Sequence, residues 1–210
     1  MRIALLHYHL KPGGVTRVIQ QQIAALSDYA EILMLTGAAP QGPFAADIRA
    51  IPGLGYDDTE TANEDPHESA KRVADRIICA ISDKWADGCD ILHIHNPLLA
   101  KNRLLPKILA HLQDQGIKLL LQIHDFAEDG RPGAYYAGIP YPKNCHYCVI
   151  NSRDYDILRR SGLSPEGLHL LPNMVDPFDL EPKKIIDQPF VLYPVRAIRR
   201  KNIGEAILAA

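Results

Sequence analysis

Two histidines stand two residues apart in the run ILHIH (91–95), and a third ends the run LLLQIHD (119–125) beside an aspartate. Residues two apart on a strand face the same side, so His93 and His95 share a face. Imidazoles there can pass protons, hydrogen-bond a hydroxyl or bind a metal. A second set, HYHLKPGGVTR (7–17), puts Gly13 and Gly14 where an apolar run gives way to a helical pattern, with Arg17 on the first turn. Adjacent glycines permit positive φ and let backbone N–H groups approach a ligand closely. The helix start that follows carries about half a positive charge and unpaired amides, and Arg17 adds a charge-assisted donor. That chemistry suits a phosphate or carboxylate; a plain tight turn is the other reading of a lone Gly-Gly. His7 and His9 flank the loop, either as binding groups at a strand end or as rings packed beside a sheet. Cys145 and Cys148 in CHYC, taken with His93 and His95, offer zinc-type ligands without zinc-finger spacing, so no metal site is expected.

The elements that must position these residues alternate. Short apolar runs at 2–7, 30–36, 47–51, 90–95, 118–124, 146–151, 168–172 and 190–195 read as strands covered on both faces. Helical patterns lie between them at 15–26, 67–85, 99–115 and 153–160, the third interrupted by Pro106. Alternation of this kind predicts an α/β fold, a Rossmann-like parallel sheet with helices on both faces. The fingerprint G-x-G-x-x-G is absent, and the second run ends in LTG with no acid to hold a ribose, which argues against a dehydrogenase.

Composition narrows the class further. The chain has 210 residues, 47% hydrophobic and 23% charged, enough for a sizeable core. A formal net charge of -2 excludes a nonspecific nucleic-acid binder, and any anion is held locally. No apolar run approaches the ~20 residues that cross a bilayer, and no signal-peptide pattern opens the chain. The expectation is a cytoplasmic protein with reduced cysteines. The proline-rich stretch 176–189 reads as a linker. Residues 1–186 are therefore expected to form one domain, and 187–210 the beginning of a second, truncated one. The lone strand expected at 190–195 would be an exposed apolar edge that pairs with a second molecule or folds back on the sheet.

KPGGVTRVI, DILHIHNP, LLLQIHD, VINSRDYDIL, LLPNMVD and YPVRAIRRKNIGEAI together resemble, in order, the motifs of the large group of retaining nucleotide-sugar glycosyltransferases with two Rossmann-like domains, the GT-B fold. The resemblance spans essentially the whole chain and makes it the N-terminal, acceptor-side half of such an enzyme plus the first strand and helix of the other. It implies a nucleotide-sugar donor, an acceptor of unknown identity, transfer with retention of anomeric configuration and no cofactor or metal. Gly13 and Gly14, with Arg17, then approach the donor diphosphate, and Arg196 and Lys201 neutralise it as it leaves. His124 would lie beside the donor sugar and acceptor, where it hydrogen-bonds the sugar or steadies positive charge at the anomeric carbon. Asp125 would orient His124 or bind an acceptor hydroxyl, or else make only a loop contact. His95 and Asn96 become cleft residues. Tyr135 and Tyr136, in the loop after the His-Asp strand end, either stack on a sugar or pack the loop down. Met174 and Val195 stand where the family has glycine. The paired-glutamate segment of the family would fall beyond residue 210, so the resemblance implies that this chain alone does not turn over. Two alternatives remain: a noncatalytic α/β module that binds an anionic ligand or partner, and one half of a GT-B sugar epimerase or phosphorylase.

Overall fold

The computed structural model describes residues 1–38, 40, 42–56, 65–126, 132–136, 138–174, 192–195 and 201–209. It divides into two compact units, Met1–Val175 and Asp176–Ala210. The first is an α/β, Rossmann-like domain. Its seven strands are β1 (Arg2–His7), β2 (Glu31–Thr36), β3 (Asp47–Ala50), β4 (Ile91–His95), β5 (Leu119–Ile123), β6 (His146–Val149) and β7 (Leu168–Leu170). They lie in the order β3-β2-β1-β4-β5-β6-β7, and every pair is parallel. The helices are α1 (Gly14–Leu26), α2 (Pro66–Lys84), α3 (Leu105–Asp114) and α4 (Ser152–Arg160).

Alternation along the strands sorts side chains between two cores. Ala4, Leu6, Leu33, Leu92, Ile94 and Leu121 pack with Val73, Ile77 and Ile81 of α2 and Ile108 and Leu112 of α3. Ile3, Leu5 and Met34 pack on the opposite face with Ile19 and Ile23 of α1. On β4 the odd positions belong to the α1 face, so His93 and His95 occupy places that β1 and β2 fill with Leu5 and Met34. Capping is local: the Asp65 carboxylate accepts from the His67 N–H at 2.8 Å at the start of α2, and Asn151 accepts from the Asp154 N–H at 2.9 Å at the start of α4.

Two expected elements differ. The helix expected over 99–115 starts only at Leu105, because Pro106 is tolerated in a first turn and not in a helix interior. The preceding loop is held by buried Asn102, whose Nδ2 donates to the Gly53 and Gly55 carbonyls, each at 2.8 Å, while its Oδ1 accepts from the Leu104 N–H at 2.9 Å. The strand expected over 190–195 is not formed at the described residues 192–195, which join no ladder. A single strand leaves its backbone groups unpaired; here the Tyr193 hydroxyl donates to the Lys201 carbonyl at 2.8 Å, ahead of a short helix, α5 (Ile203–Ala209).

Candidate functional site

The strand order reverses between β1 and β4: β2 and β3 extend one way from β1, and β5 to β7 the other way. In open parallel sheets the crevice beyond the carboxyl ends at such a point is where ligands bind. His7 ends β1, His95 ends β4 and His124 directly follows β5, so the topology brings three imidazoles to that one edge.

Hydrogen bonds join them. His95 Nδ1 and His124 Nε2 are 3.0 Å apart, with the rings stacked at 5.3 Å and 18°. His93 and His95 stack at 4.5 Å and 24°. The His7 ring donates through Nδ1 to the His95 carbonyl at 3.2 Å. Asn96 takes φ 53, a left-handed conformation that asparagine tolerates better than most residues. Its side chain thereby ties two strand ends together: Oδ1 accepts from the His124 N–H at 2.9 Å, and Nδ2 donates to Asp125 Oδ2 at 3.2 Å. The Tyr8 hydroxyl donates to the Leu99 carbonyl at 2.9 Å and lies 3.3 Å from that of Asn96, bracing the same turn from β1.

Burial sets the charge of this cluster. It pushes His7, His93 and His124 down to about 4, with neighbouring histidines adding to the shift at His7 and His124, and it holds fully buried His95 well below the ordinary value. At neutral pH the rings are therefore uncharged donors and acceptors. Support comes from the α1 face: Gln122, beside His95 on β5, accepts through Oε1 from His93 Nε2 and from Gln22 Nε2 of α1, each at 2.9 Å.

The glycine loop builds a second feature. Gly13 is extended (φ 174, ψ 170), and Gly14 opens α1; neither uses the positive φ that glycine permits. The surrounding protein does not require glycine at either position: a Cβ at Gly14 would meet nothing within 4 Å, and one at Gly13 only the Lys11 carbonyl at 3.8 Å. Helix α1 has no side-chain cap bond and no acid in its first turn. Gly13, Thr16, Arg17 and Gln20, with Leu10 and Phe44, line an open cavity of about 360 Å³. An uncapped helix start with an arginine on such a cavity suits an anion.

Of the residues singled out in the sequence, His95, Asn96, His124 and Asp125 form one bonded group, and Gly13, Gly14 and Arg17 frame the cavity. The His124 ring is hydrogen-bonded to His95, while Asp125 accepts from Asn96. Tyr135 and Tyr136 pack against the larger core, and the Tyr136 hydroxyl donates to the Asn102 carbonyl. Lys201 belongs to the second unit, and Arg196 lies outside the described residues. No group of three or more His, Cys, Asp or Glu side chains among the described residues is placed to hold a metal ion. Gln22, Gln122, Tyr8 and Asn102 were not singled out; a glutamine inside the apolar run LLLQI was the available signal for Gln122, since a polar group there must find a buried partner.

Fold and site together define an α/β domain with an imidazole cluster at the switch point of a parallel sheet and an anion-type cavity beside it. No protein-family model matches the chain. The mannosylglucosyl-3-phosphoglycerate synthase of Petrotoga mobilis is 27% identical over 241 aligned residues, which cover 97% of this chain and 47% of that protein. Among solved structures, Phytolacca americana UGT2 complexed with UDP-2fluoro-glucose and pterostilbene matches with a TM-score of 0.49 and 10% identity, over 85% of this chain and 55% of that one. The chain thus spans about half the length of each.

Proposed function

We propose that the chain is the acceptor-side half of a glycosyltransferase of the GT-B kind, moving a sugar from a nucleotide-sugar to an acceptor hydroxyl with retention of anomeric configuration. The observation that carries this reading is the bonded group His95–His124–Asn96–Asp125 at the switch-point edge of a chain that aligns over 97% of its length with the mannosylglucosyl-3-phosphoglycerate synthase of Petrotoga mobilis; the GT-B kind rests on the order of the sequence motifs. His124 is neutral at pH 7 because its own value lies near 4, so it serves by hydrogen-bonding the sugar and not as an imidazolium. Gly13, Gly14 and Arg17 hold the donor diphosphate on the uncapped α1 start. On sequence resemblance, Arg196 and Lys201 are further donors to that diphosphate, no metal or cofactor takes part, and this half does not turn over by itself. The name of the Petrotoga mobilis protein points to a phosphorylated glycoside as the class of acceptor.

The test is label transfer from UDP-, GDP- and ADP-sugars to phosphorylated hydroxy-acid glycosides, by the protein in the longest form its gene encodes, with the product anomer read by NMR. Transfer that retains configuration and is lost in His124→Ala is expected. Failure with every donor, or an inverted product, would overturn the reading.

A further inference from the structure

Three buried polar atoms lack a partner within one layer between α1 and the sheet: His95 Nε2, Gln122 Nε2 and Gln22 Oε1. Gln122 Oε1 already takes two donors, from His93 Nε2 and Gln22 Nε2, and the His7 Nδ1 proton is spent on the His95 carbonyl. The contact between His95 Nδ1 and His124 Nε2 holds one proton, and its position decides both rings. If His124 Nε2 carries it, neutral His95 must carry its own proton on Nε2, where no acceptor lies within reach in a fully buried place. An orphaned buried N–H is the rarer and more costly defect. If His95 Nδ1 carries it, His95 Nε2 is a bare lone pair. A buried acceptor without a donor is the less costly defect, and the side chain directly across on β5, Gln122, keeps its own unpaired Nε2 in the same layer, without a hydrogen bond to it.

We propose that His95 is a positioning residue that donates its Nδ1–H to His124 Nε2 and thereby holds His124 in the Nδ1–H tautomer. With Nε2 occupied, Nδ1–H is the one ring group that His124 offers a ligand. The site therefore recognises an oxygen that accepts a hydrogen bond, and His124 cannot remove a proton from an acceptor hydroxyl. The proton held between β4 and β5 thus determines what the cleft residue does, although His95 itself is buried and touches no ligand.

The inference concerns the ring that the transferase reading puts beside the sugar, and its test reads ring protons instead of turnover. A failed transfer assay leaves the tautomer standing, and a wrong tautomer leaves transfer standing. The experiment is long-range proton–nitrogen correlation NMR on protein labelled with ¹⁵N-histidine at about pH 7.5, well above the value of 6.5 for free histidine. The His124 pattern is identified by its loss in His124→Gln. In the unsubstituted protein Nδ1 should resonate as a protonated nitrogen and Nε2 as a bare one; a protonated Nε2 overturns the proposal. His95→Asn, whose amide can supply a donor near the place of Nδ1, should keep that pattern. His95→Phe should replace it with an averaged one. An unchanged His124 pattern in His95→Phe would show that His95 does not set the tautomer. Should His95→Phe fail to fold, the unsubstituted protein and His95→Asn still decide the question.

Discussion

Lowering the pH below 6.5 should unfold the first unit, with a slope set by its buried histidines. His7, His93 and His124 are pushed from 6.5 down to about 4, chiefly by burial, and His95 lies well below its ordinary value for the same reason. In the unfolded chain each takes a proton near 6.5. Between about 6.5 and about 4 the unfolded state therefore binds more protons than the native one. The stability is complete above that window and is lost as the pH falls through it. Each unmatched proton is worth about 1.4 kcal/mol per pH unit, so His7, His93 and His124 together give a slope of about 4 kcal/mol per unit near pH 5. Stacking of His93 on His95 and of His95 on His124 discourages a second native proton and preserves the difference. Against a total of about 5–15 kcal/mol for an ordinary domain, a fall of roughly one and a half pH units removes a large share of stability. The assay is urea unfolding at several pH values followed by fluorescence of Trp85. It is the single tryptophan, buried in the larger core with its Nε1 donating to Glu31 at 2.9 Å. His93→Gln, which can keep a donor for Gln122, should lower the slope by about 1.4 kcal/mol per pH unit. A stability that is flat from pH 6.5 to 5, or a slope of less than one proton, would refute the buried-neutral reading.

Asn102→Ala should cost about 3 kcal/mol in the same unfolding assay, because it strands the Gly53 and Gly55 carbonyls and the Leu104 N–H at once; a loss under about 1 kcal/mol would mean that the loop is held by other contacts. Gly37→Ala would drive a Cβ into the Gly55 nitrogen and Cα. Backbone cannot yield as a side-chain end can, so a loss beyond about 3 kcal/mol or failure to fold is expected, and a melting temperature equal to that of the unsubstituted protein would contradict the close approach. In the protein in the longest form its gene encodes, Arg17→Ala should lower kcat/KM for the nucleotide-sugar proposed as donor about tenfold or more, the worth of one hydrogen bond to a charged group; an unchanged value would remove Arg17 from the anion site.

Much of the fold is readable from the chain because it rests on local periodicity. Near-continuous apolar runs alternating with amphipathic stretches predict buried parallel strands and crossover helices, and seven of the eight expected strands form. Pro106 moved the start of α3, and the described residues 192–195 join no ladder. Within the site, the spacing of His93 and His95 was enough to put them on one face, and the motif order was enough to single out His124, Asp125 and the glycine loop.

By itself, then, the sequence determined which strand ends the histidines and the glycine loop occupy and which of them share a face, since side-chain alternation and strand direction are properties of a short stretch of chain. Which of those residues are bonded to each other was decided by the tertiary structure. His95 and His124 are 29 positions apart, and they meet only because β4 and β5 pair in a register that sets His95 against Gln122 and leaves His124 one residue further on. The same pairing bonds Asp125 to Asn96, and burial in the assembled domain keeps the imidazoles neutral. Hydrogen-bond direction and desolvation depend on what surrounds a group from every side, and that is assembled from strands and helices far apart in the chain.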